Sequence, residues 1–224
     1  MTESLRVAVI GAGAIAQVAH LGVLKRLEGV ELVALSDIDV SKARALARRF
    51  EIPDVYDDIE DLLTSARPDA VAICTPNHLH KVHALTALSA GVHVFCERPL
   101  ALASTGVREV IEARARADRV VAVGMNYRFR SDVQDLVRFL RSGELGALRA
   151  IRTGWYIWRP GPQLGGWREH RAQSGGGAMM YLGLPLVDLA LWVAGRQQPK
   201  LVTGWFARPR EGAVVEDTAS ALIQ

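Results

Sequence analysis

Hydrophobic and polar positions alternate between strand-type and helix-type periodicity over the first 125 residues. Short apolar runs of strand type, the first ending at Ile10, are separated by segments in which apolar residues recur at helical spacing. Six strands are predicted here, at 5–10, 31–36, within 52–65, 69–74, 92–96 and 119–124. Helices are predicted at 15–27, 41–50, within 52–65, 78–90 and 105–117. Such repeated strand–helix–strand units are typical of a parallel sheet with helices on both faces.

The pattern of hydrophobic and polar positions changes at Asn126. An amphipathic helix is predicted at 132–142, and the strongly apolar segment 178–194 predicts another helix. Strands are expected at 148–158, 200–208 and 216–224, and the glycine-rich segment 159–177 is expected to be a long functional or mobile loop. The pattern therefore divides the chain into two predicted domains, 1–125 and 126–224.

The first strand runs directly into a glycine turn with the pattern G-x-G-x-x-A. Gly11 permits a tight turn, Gly13 has no Cβ to keep a pyrophosphate away from the backbone, and Ala16 lets the next helix pack on the strand. The first N–H groups of that helix, near Ala14 and Ile15, would face the phosphates. This turn predicts a dinucleotide-binding site.

Asp37 ends the second strand about twenty residues after the turn, where a carboxylate can bind a ribose 2′-OH. The same carboxylate would repel a 2′-phosphate, so NAD is expected in preference to NADP. The predicted fold is α/β, with a Rossmann doubly wound parallel sheet. The alternative is a glycine turn in an α/β protein that binds no cofactor.

Composition changes this picture little. The chain has 224 residues, half of them hydrophobic, and a net charge of +3, which is ordinary for a soluble globular protein. Its arginines are interspersed with acids, so no nucleic-acid partner is expected. No run of 18 uninterrupted apolar residues occurs, so no membrane association is expected. Cys74 and Cys96 are expected to be buried free thiols in a reducing cytoplasm, although adjacent strands could also bring them together.

Further motifs follow the glycine turn in a fixed order: TPNHLH at 75–80, CERPLA at 96–101, GMNYRF at 124–129, SGGGAMMYLGLPLVDL at 174–189 and VEDTASALI at 215–223. Together they resemble the glucose–fructose oxidoreductase, inositol dehydrogenase and MocA family (Gfo/Idh/MocA). The resemblance implies an NAD(P)-dependent oxidoreductase that acts on a sugar, cyclitol or related polyol. It also implies an α+β second domain with an open, mostly antiparallel sheet that forms a homo-oligomer contact. Family members usually continue further, so this domain is expected to be incomplete.

By this resemblance, Thr75, Pro76 and Asn77 match the segment that passes beside the nicotinamide half of the cofactor. Asn77 also suits a helix N-cap, and the two roles are compatible. His80 is counted among the cofactor-contacting residues of this segment, although a surface or helix-end position is more common for such a histidine.

Glu97, Arg98 and Pro99 match the family's Glu-Lys-Pro motif, whose lysine reaches the substrate hydroxyl and the nicotinamide. An arginine cannot act as a general base near neutral pH, but it can hold a substrate oxygen or carboxylate through two hydrogen bonds. Glu97 is expected to support Arg98 or the cofactor ribose. Pro99 is a candidate for a cis peptide bond.

A second departure from the family pattern replaces its catalytic aspartate and histidine with Tyr181 and Pro185. Tyr181 is either a general acid for carbonyl reduction, assisted by Arg98, or a core or pocket-wall aromatic. Residues four apart share one face of a helix, so the Tyr181 side chain would point toward the vacated site. Pro185 lacks the N–H that would bond to the Tyr181 carbonyl, so a kink is predicted unless the helix starts later. Asp188 is a site residue or, by preference, a capping or ion-pair residue.

Aromatic and basic side chains of the second half are candidates for contacting a sugar ring or an anionic group: Tyr127, Arg128, Trp167 and Arg168. His170, also counted among the substrate residues, is the nearby imidazole that could replace the family's missing histidine. Three further aromatic residues, Trp155, Tyr156 and Trp158, extend this set. The same residue types are favoured at subunit interfaces, which is the competing interpretation. No metal is predicted.

Three hypotheses about function follow. The first is an active nicotinamide oxidoreductase with a rearranged catalytic group, Arg98 and Tyr181. The second is a cofactor-binding protein that has lost hydride transfer and serves as a sensor or partner subunit, because positions 98, 181 and 185 are all altered. The third is a relative that oxidises its substrate transiently, eliminates, and reduces it again.

Overall fold

The computed structural model describes residues 4–158, 166–195, 198–208 and 214–224. Backbone contacts divide the chain into two compact units, Met1–Gly124 and Met125–Gln224. Part of the loop predicted at 159–177, including Pro160 and Pro162, lies outside the described residues.

The first unit is built on one parallel sheet. Its strands are β1 Leu5–Ile10, β2 Val30–Ser36, β3 Asp54–Tyr56, β4 Ala70–Ile73, β5 His93–Cys96 and β6 Val121–Val123. They lie in the order β3-β2-β1-β4-β5-β6, which is the order of the doubly wound dinucleotide-binding sheet. Because β1 pairs with β2 on one side and with β4 on the other, the direction of winding reverses between β1 and β4. The α/β fold prediction is confirmed.

Helices connect the strands of this unit: a π-helical turn Ala16–His20 leading into α1 Leu21–Leu24, then α2 Val40–Phe50, α3 Ile59–Ala66, α4 Asn77–Ser89 and α5 Ser104–Ala117. Alternate residues of β1 are buried in two different clusters. Val7 and Val9 pack with residues of α1 and α2, whereas Ala8 and Ile10 pack with residues of α3, α4 and α5. A strand buried on both faces reads as a continuous apolar run, as β1 does.

The second unit contains a 3-10 turn Asn126–Phe129, α6 Ser131–Ser142, a 3-10 turn Gly166–Glu169, α7 Arg171–Ser174, a π-helical turn Met179–Gly183, α8 Leu184–Val193, β7 Val202–Ala207 and β8 Thr218–Ile223. α6 buries Val133 and Val137 and ends at Gly143, whose φ is +82°. β7 and β8 pair in antiparallel register, with Trp205 opposite Ser220.

The strand predicted at 148–158 is wrong: this segment has no regular secondary structure. Its β-branched and aromatic residues suit a strand, but a strand also needs a neighbour for its backbone N–H and C=O groups. Within the described ranges the second unit pairs only β7 with β8. Propensity alone therefore did not make this segment a strand.

One helical stretch of the second unit, Arg171–Val193, meets the length and hydropathy criteria for crossing a membrane, with a mean hydropathy of 1.5. Backbone turns at 175–177 interrupt it, and the unbroken part covers only 178–193. At 1.5 Å per residue that part is about 24 Å long, less than the hydrocarbon core of a typical bilayer. The stretch is therefore weak evidence for a membrane protein.

Candidate functional site

The glycine turn follows β1 at the point where the winding of the sheet reverses. Gly11 has φ +98°, and a Cβ on it would lie 2.8 Å from the carbonyl carbon and oxygen of Cys74. Only glycine fits there without moving the backbone of the neighbouring strand end. At Gly13 a Cβ would come no nearer than 3.9 Å to that same oxygen. The backbone is therefore exposed to a ligand at Gly13 and tightly packed at Gly11.

Asp37, which follows β2, contacts the backbone of this turn. Its Oδ2 accepts the N–H of Ala12 at 2.6 Å and its Oδ1 accepts the N–H of Asp39 at 2.9 Å. The Lys42 ammonium lies 3.1 Å from Oδ1. A carboxylate has about four acceptor positions, so these contacts leave room for a ribose hydroxyl. Sequence reasoning missed Lys42, which the first turn of α2 carries back toward Asp37.

The segment after β4 is bracketed by histidines of α4. The carbonyl oxygen of Thr75 lies 2.7 Å from Nε2 of His80, and the Thr75 hydroxyl lies 3.1 Å from Nδ1 of His83. Burial, followed by the charge of His80, lowers the pKa of His83 to about 4. His80 lies near the start of α4, as expected for a helix-end residue, but it is only 1% exposed, so the expectation of a surface position for it is wrong. The N-cap of α4 is Pro76 and Asn77 is its first residue, so the interpretation of Asn77 as the N-cap is wrong.

Within the described ranges, Nδ1 of His78 is a buried side-chain nitrogen that has no hydrogen-bond partner. Buried polar atoms are nearly always paired in folded proteins, so an unpaired one beside a candidate site is a place where a ligand can bind. The run of three histidines in NHLHKVH is visible in the sequence, but their different partners are not.

Glu97, Arg98 and Pro99 follow β5, the strand next to β4. The Arg98–Pro99 peptide bond is cis. Glu97 Oε1 lies 2.7 Å from Nε2 of His20, which belongs to the helix after the glycine turn. The Pro99 carbonyl oxygen lies 2.6 Å from Nδ1 of His80. The residues on both sides of Arg98 are thus tied to elements that begin at the glycine turn and at the end of β4.

Both thiols are buried and free, as expected. Burial raises the pKa of Cys74, and the Glu97 charge raises it further. Burial also raises the pKa of Cys96, with added contributions from Cys74 and Glu97. Since the thiolate is the reactive form, neither cysteine is suited to act as a nucleophile.

In the second unit, Arg128 donates to both carboxylate oxygens of Asp188, with Nε 2.8 Å from Oδ2. This confirms the preferred interpretation of Asp188 as an ion-pair residue. The Tyr127 ring stacks on Trp155 at 5.5 Å between centroids. The Arg168 guanidinium lies 4.4 Å from the Trp167 ring centre. His170 is exposed and precedes α7.

Tyr181 lies in the π-helical turn before α8, where the N–H of Leu184 bonds to the carbonyl of Met179. Pro185, which has no N–H to donate, is the second residue of α8 and directly follows the π-helical turn. The helix is therefore widened next to the position where a kink is predicted. Tyr181 is 38% exposed and Pro185 is buried. That the two side chains share one face of the helix stays a prediction.

Glu216 caps the start of this π-helical segment. Sequence reasoning did not predict this role. Its Oε1 accepts the N–H of Gly177 at 2.8 Å and of Met179 at 3.1 Å. Its backbone oxygen accepts the N–H of Ala178 at 2.8 Å. A Cβ on Gly177 would lie 1.8 Å from that oxygen, which explains a glycine at this crossing.

The first unit therefore gathers several predicted cofactor-site residues along the carboxyl ends of β1, β2, β4 and β5: Gly11, Gly13, Ala14, Ile15, Asp37, Thr75, Pro76, Asn77, Glu97 and Arg98. Ligands of doubly wound sheets bind outside this edge, at the winding reversal. The close-packed glycine, the open backbone at Gly13 and the unpaired His78 nitrogen together fit a dinucleotide. Gly11 and Gly13 would face its pyrophosphate, and Asp37 would face its adenosine ribose.

Comparison with known proteins agrees with this geometry. The profile of the Gfo/Idh/MocA oxidoreductase family, NAD-binding Rossmann fold, matches residues 5–125, and the Gfo/Idh/MocA C-terminal domain matches residues 133–224. D-glucoside 3-dehydrogenase of Escherichia coli (strain K12) is 36% identical over 87% of this chain and 56% of its own length. Inositol 2-dehydrogenase of Acidothermus cellulolyticus is 35% identical over 64% of this chain and 42% of its own length.

Two solved structures show the same arrangement. GenD2 from gentamicin A biosynthesis, in complex with NAD, has a TM-score of 0.87 and 27% identity over 100% of this chain and 63% of its own. The aldose-aldose oxidoreductase from Caulobacter crescentus has a TM-score of 0.86 and 26% identity over 99% of this chain and 67% of its own. The chain spans about half the length of the curated relatives that it matches. With the family profile covering more than half of its residues, the chain belongs to the Gfo/Idh/MocA family of NAD-binding oxidoreductases.

Proposed function

We propose that this chain provides the cofactor-binding part of an oxidoreductase that transfers hydride between a nicotinamide nucleotide and a sugar, cyclitol or related polyol or keto substrate. The observation that carries the proposal is the glycine turn at the winding reversal, packed at Gly11 and open at Gly13, with Asp37 beside it. D-glucoside and inositol dehydrogenases among the relatives support a sugar-like substrate.

NAD is the proposed cofactor, with NADP less favoured, because the Asp37 carboxylate would repel a 2′-phosphate. Lys42 opposes this preference, since its ammonium lies 3.1 Å from Asp37 Oδ1 and can attract the same phosphate. Calorimetric titration with NADH and NADPH tests the assignment. Asp37→Asn is expected to lower the ratio of NADH affinity to NADPH affinity about tenfold, and Lys42→Ala is expected to raise this ratio. An unchanged ratio in Asp37→Asn would remove Asp37 from this role.

Arg98 and Tyr181 are the proposed catalytic residues. A bound nicotinamide would supply or accept the hydride. Arg98 would hold a substrate oxygen by hydrogen bonds, since its guanidinium keeps its proton. Tyr181 would transfer the proton to or from the substrate oxygen, a role open to a phenol.

A second candidate is a cofactor-binding protein without hydride transfer. The observation that favours it is the loss of all three family proton-handling residues, at Arg98, Tyr181 and Pro185. Absorbance at 340 nm with a panel of keto-sugars and polyols separates the two candidates, once NADH binding has been measured. Turnover that Tyr181→Phe abolishes supports the first candidate. Binding without turnover, followed by turnover in the triple variant Arg98→Lys, Tyr181→Asp and Pro185→His, supports the second.

A further inference from the structure

The two residues next to Arg98 in the chain, Glu97 and Pro99, each form a hydrogen bond with a histidine from another element. Glu97 Oε1 is 2.7 Å from Nε2 of His20. The carbonyl oxygen of Pro99, which is itself buried, is 2.6 Å from Nδ1 of His80. His80 is the more informative of the two, because its ring makes a second contact.

That second contact joins Nε2 of His80 to the carbonyl oxygen of Thr75 at 2.7 Å. The ring therefore lies between the end of β4 and the turn that carries Arg98, two backbone segments that are 24 residues apart in the chain (99 − 75). His80 is 1% exposed, so bulk water cannot replace either contact.

A count of donors shows what the ring must supply. A carbonyl oxygen only accepts hydrogen bonds, so each contact needs an N–H on His80. A neutral imidazole donates from one nitrogen and an imidazolium donates from both. A side chain of similar size without a donor would fill the space but could make neither contact.

We propose that His80 is a positioning residue that locks the end of β4 to the Arg98 turn and so sets where Arg98 meets the nicotinamide half of the cofactor. The inference rests on the proposed function, because it requires a nicotinamide nucleotide at this edge of the sheet. It also changes the role expected from the sequence, since both ring nitrogens of His80 contact the backbone beneath the site.

Two ligands separate this role from general stability. NADH carries the nicotinamide ring, whereas ADP-ribose keeps the adenosine, the pyrophosphate and the second ribose and lacks only that ring. His80→Leu is expected to weaken NADH binding about tenfold and ADP-ribose binding less than about twofold. Arg98→Ala is expected to give the same pattern. The double variant should bind NADH no more than about twofold more weakly than either single variant, because coupled residues are not additive.

Amide variants test whether hydrogen bonds, rather than shape, do the positioning. The side-chain nitrogen of asparagine can replace Nδ1 and reach Pro99, and that of glutamine can replace Nε2 and reach Thr75. His80→Asn and His80→Gln should therefore bind NADH with affinities between those of the wild type and His80→Leu. These variants also keep the test available if His80→Leu fails to fold.

His93→Leu is the matched control. Nδ1 of His93 accepts the N–H of Val120 at the opposite end of β5, so its loss should lower the melting temperature without changing the ratio of NADH to ADP-ribose affinity. Equal losses for both ligands in His80→Leu, or additive losses in the double variant, would overturn the positioning role. Failure of the wild-type chain to bind either ligand would contradict the proposed function and this inference with it.

Discussion

At the scale of single residues, His83 shows how burial beside the candidate site controls protonation. Its Nδ1 forms a hydrogen bond with the Thr75 hydroxyl, and its ring interacts electrostatically with His80. Both effects favour the neutral ring, with burial the larger. Protonation of His83 would therefore destabilise the folded state relative to the unfolded one.

The stability of the fold should consequently fall as the pH falls from about 6.5 to about 4. In this range an unfolded His83 takes up a proton and the folded one, with its pKa lowered to about 4, does not. Above this range neither form is charged, and below it both are, so the contribution stops changing. Urea unfolding at several pH values should show a shallower dependence for His83→Gln than for the wild type. Identical slopes would show that His83 does not titrate differently on folding.

The tight turn at Gly11 was predictable from the local sequence, whereas its close approach to the backbone of Cys74 was not. The contact of Glu97 with His20 spans 77 residues, and no local pattern could have indicated it. Asp188 suggested an ion pair, but its partner Arg128, 60 residues away, became identifiable only in the fold.

At the scale of elements, the β1–glycine turn–helix unit depends on the close approach of two backbones. Gly11→Ala would place a methyl group 2.8 Å from the Cys74 carbonyl group at a φ of +98°. Gly29→Ala provides a matched control, because Gly29 also has a positive φ, +74°, but has no atom within 4 Å of a Cβ among the described residues. The control isolates backbone strain of about 1–2 kcal/mol.

Gly11→Ala should therefore be less stable than Gly29→Ala by about 1–3 kcal/mol, the cost of overpacking. It should also lose ADP-ribose binding, which Gly29→Ala should keep. Chemical unfolding and calorimetry measure the two effects. Equal stabilities with retained binding in both variants would mean that the turn does not approach Cys74 as closely as described.

Glu216 plays a comparable role for the segment that carries Tyr181. It accepts two N–H groups at the start of that segment, as N-cap side chains do. Glu216→Ala should cost about 1–2 kcal/mol and speed hydrogen exchange in residues 177–183, whereas Glu216→Gln, which keeps an acceptor oxygen, should lose less. Unchanged exchange in Glu216→Ala would show that the cap does not hold this segment.

Periodicity predicted nearly every strand and helix of the first unit, where the central strands β1, β2 and β4 are apolar runs that are mostly buried. It was less successful in the second unit. Residues 148–158 have strand composition but no partner strand, and the helix through Tyr181 contains a π-helical turn that simple 3.6-residue spacing does not anticipate. Pairing and helix register depend on distant contacts, which a local pattern does not contain.

At the scale of the whole molecule, the two units divide the chemistry. The first unit carries the glycine turn, Asp37 and the turn with Arg98, which are the residues proposed to bind the nucleotide. The second carries Tyr181 and the aromatic and basic side chains proposed for a sugar-like substrate. Nucleotide binding is therefore the property that the described residues support most directly, and the proposed turnover would require Tyr181 of the second unit in addition.

The central claim is that the glycine turn and Asp37 hold a nicotinamide dinucleotide, and titration calorimetry of the wild-type chain with NADH tests it most directly. We expect one NADH per chain, competition by ADP-ribose, and loss of binding in Gly11→Ala but not in Gly29→Ala. Absence of NADH uptake by the folded wild-type chain, or equal uptake by Gly11→Ala, would contradict the claim.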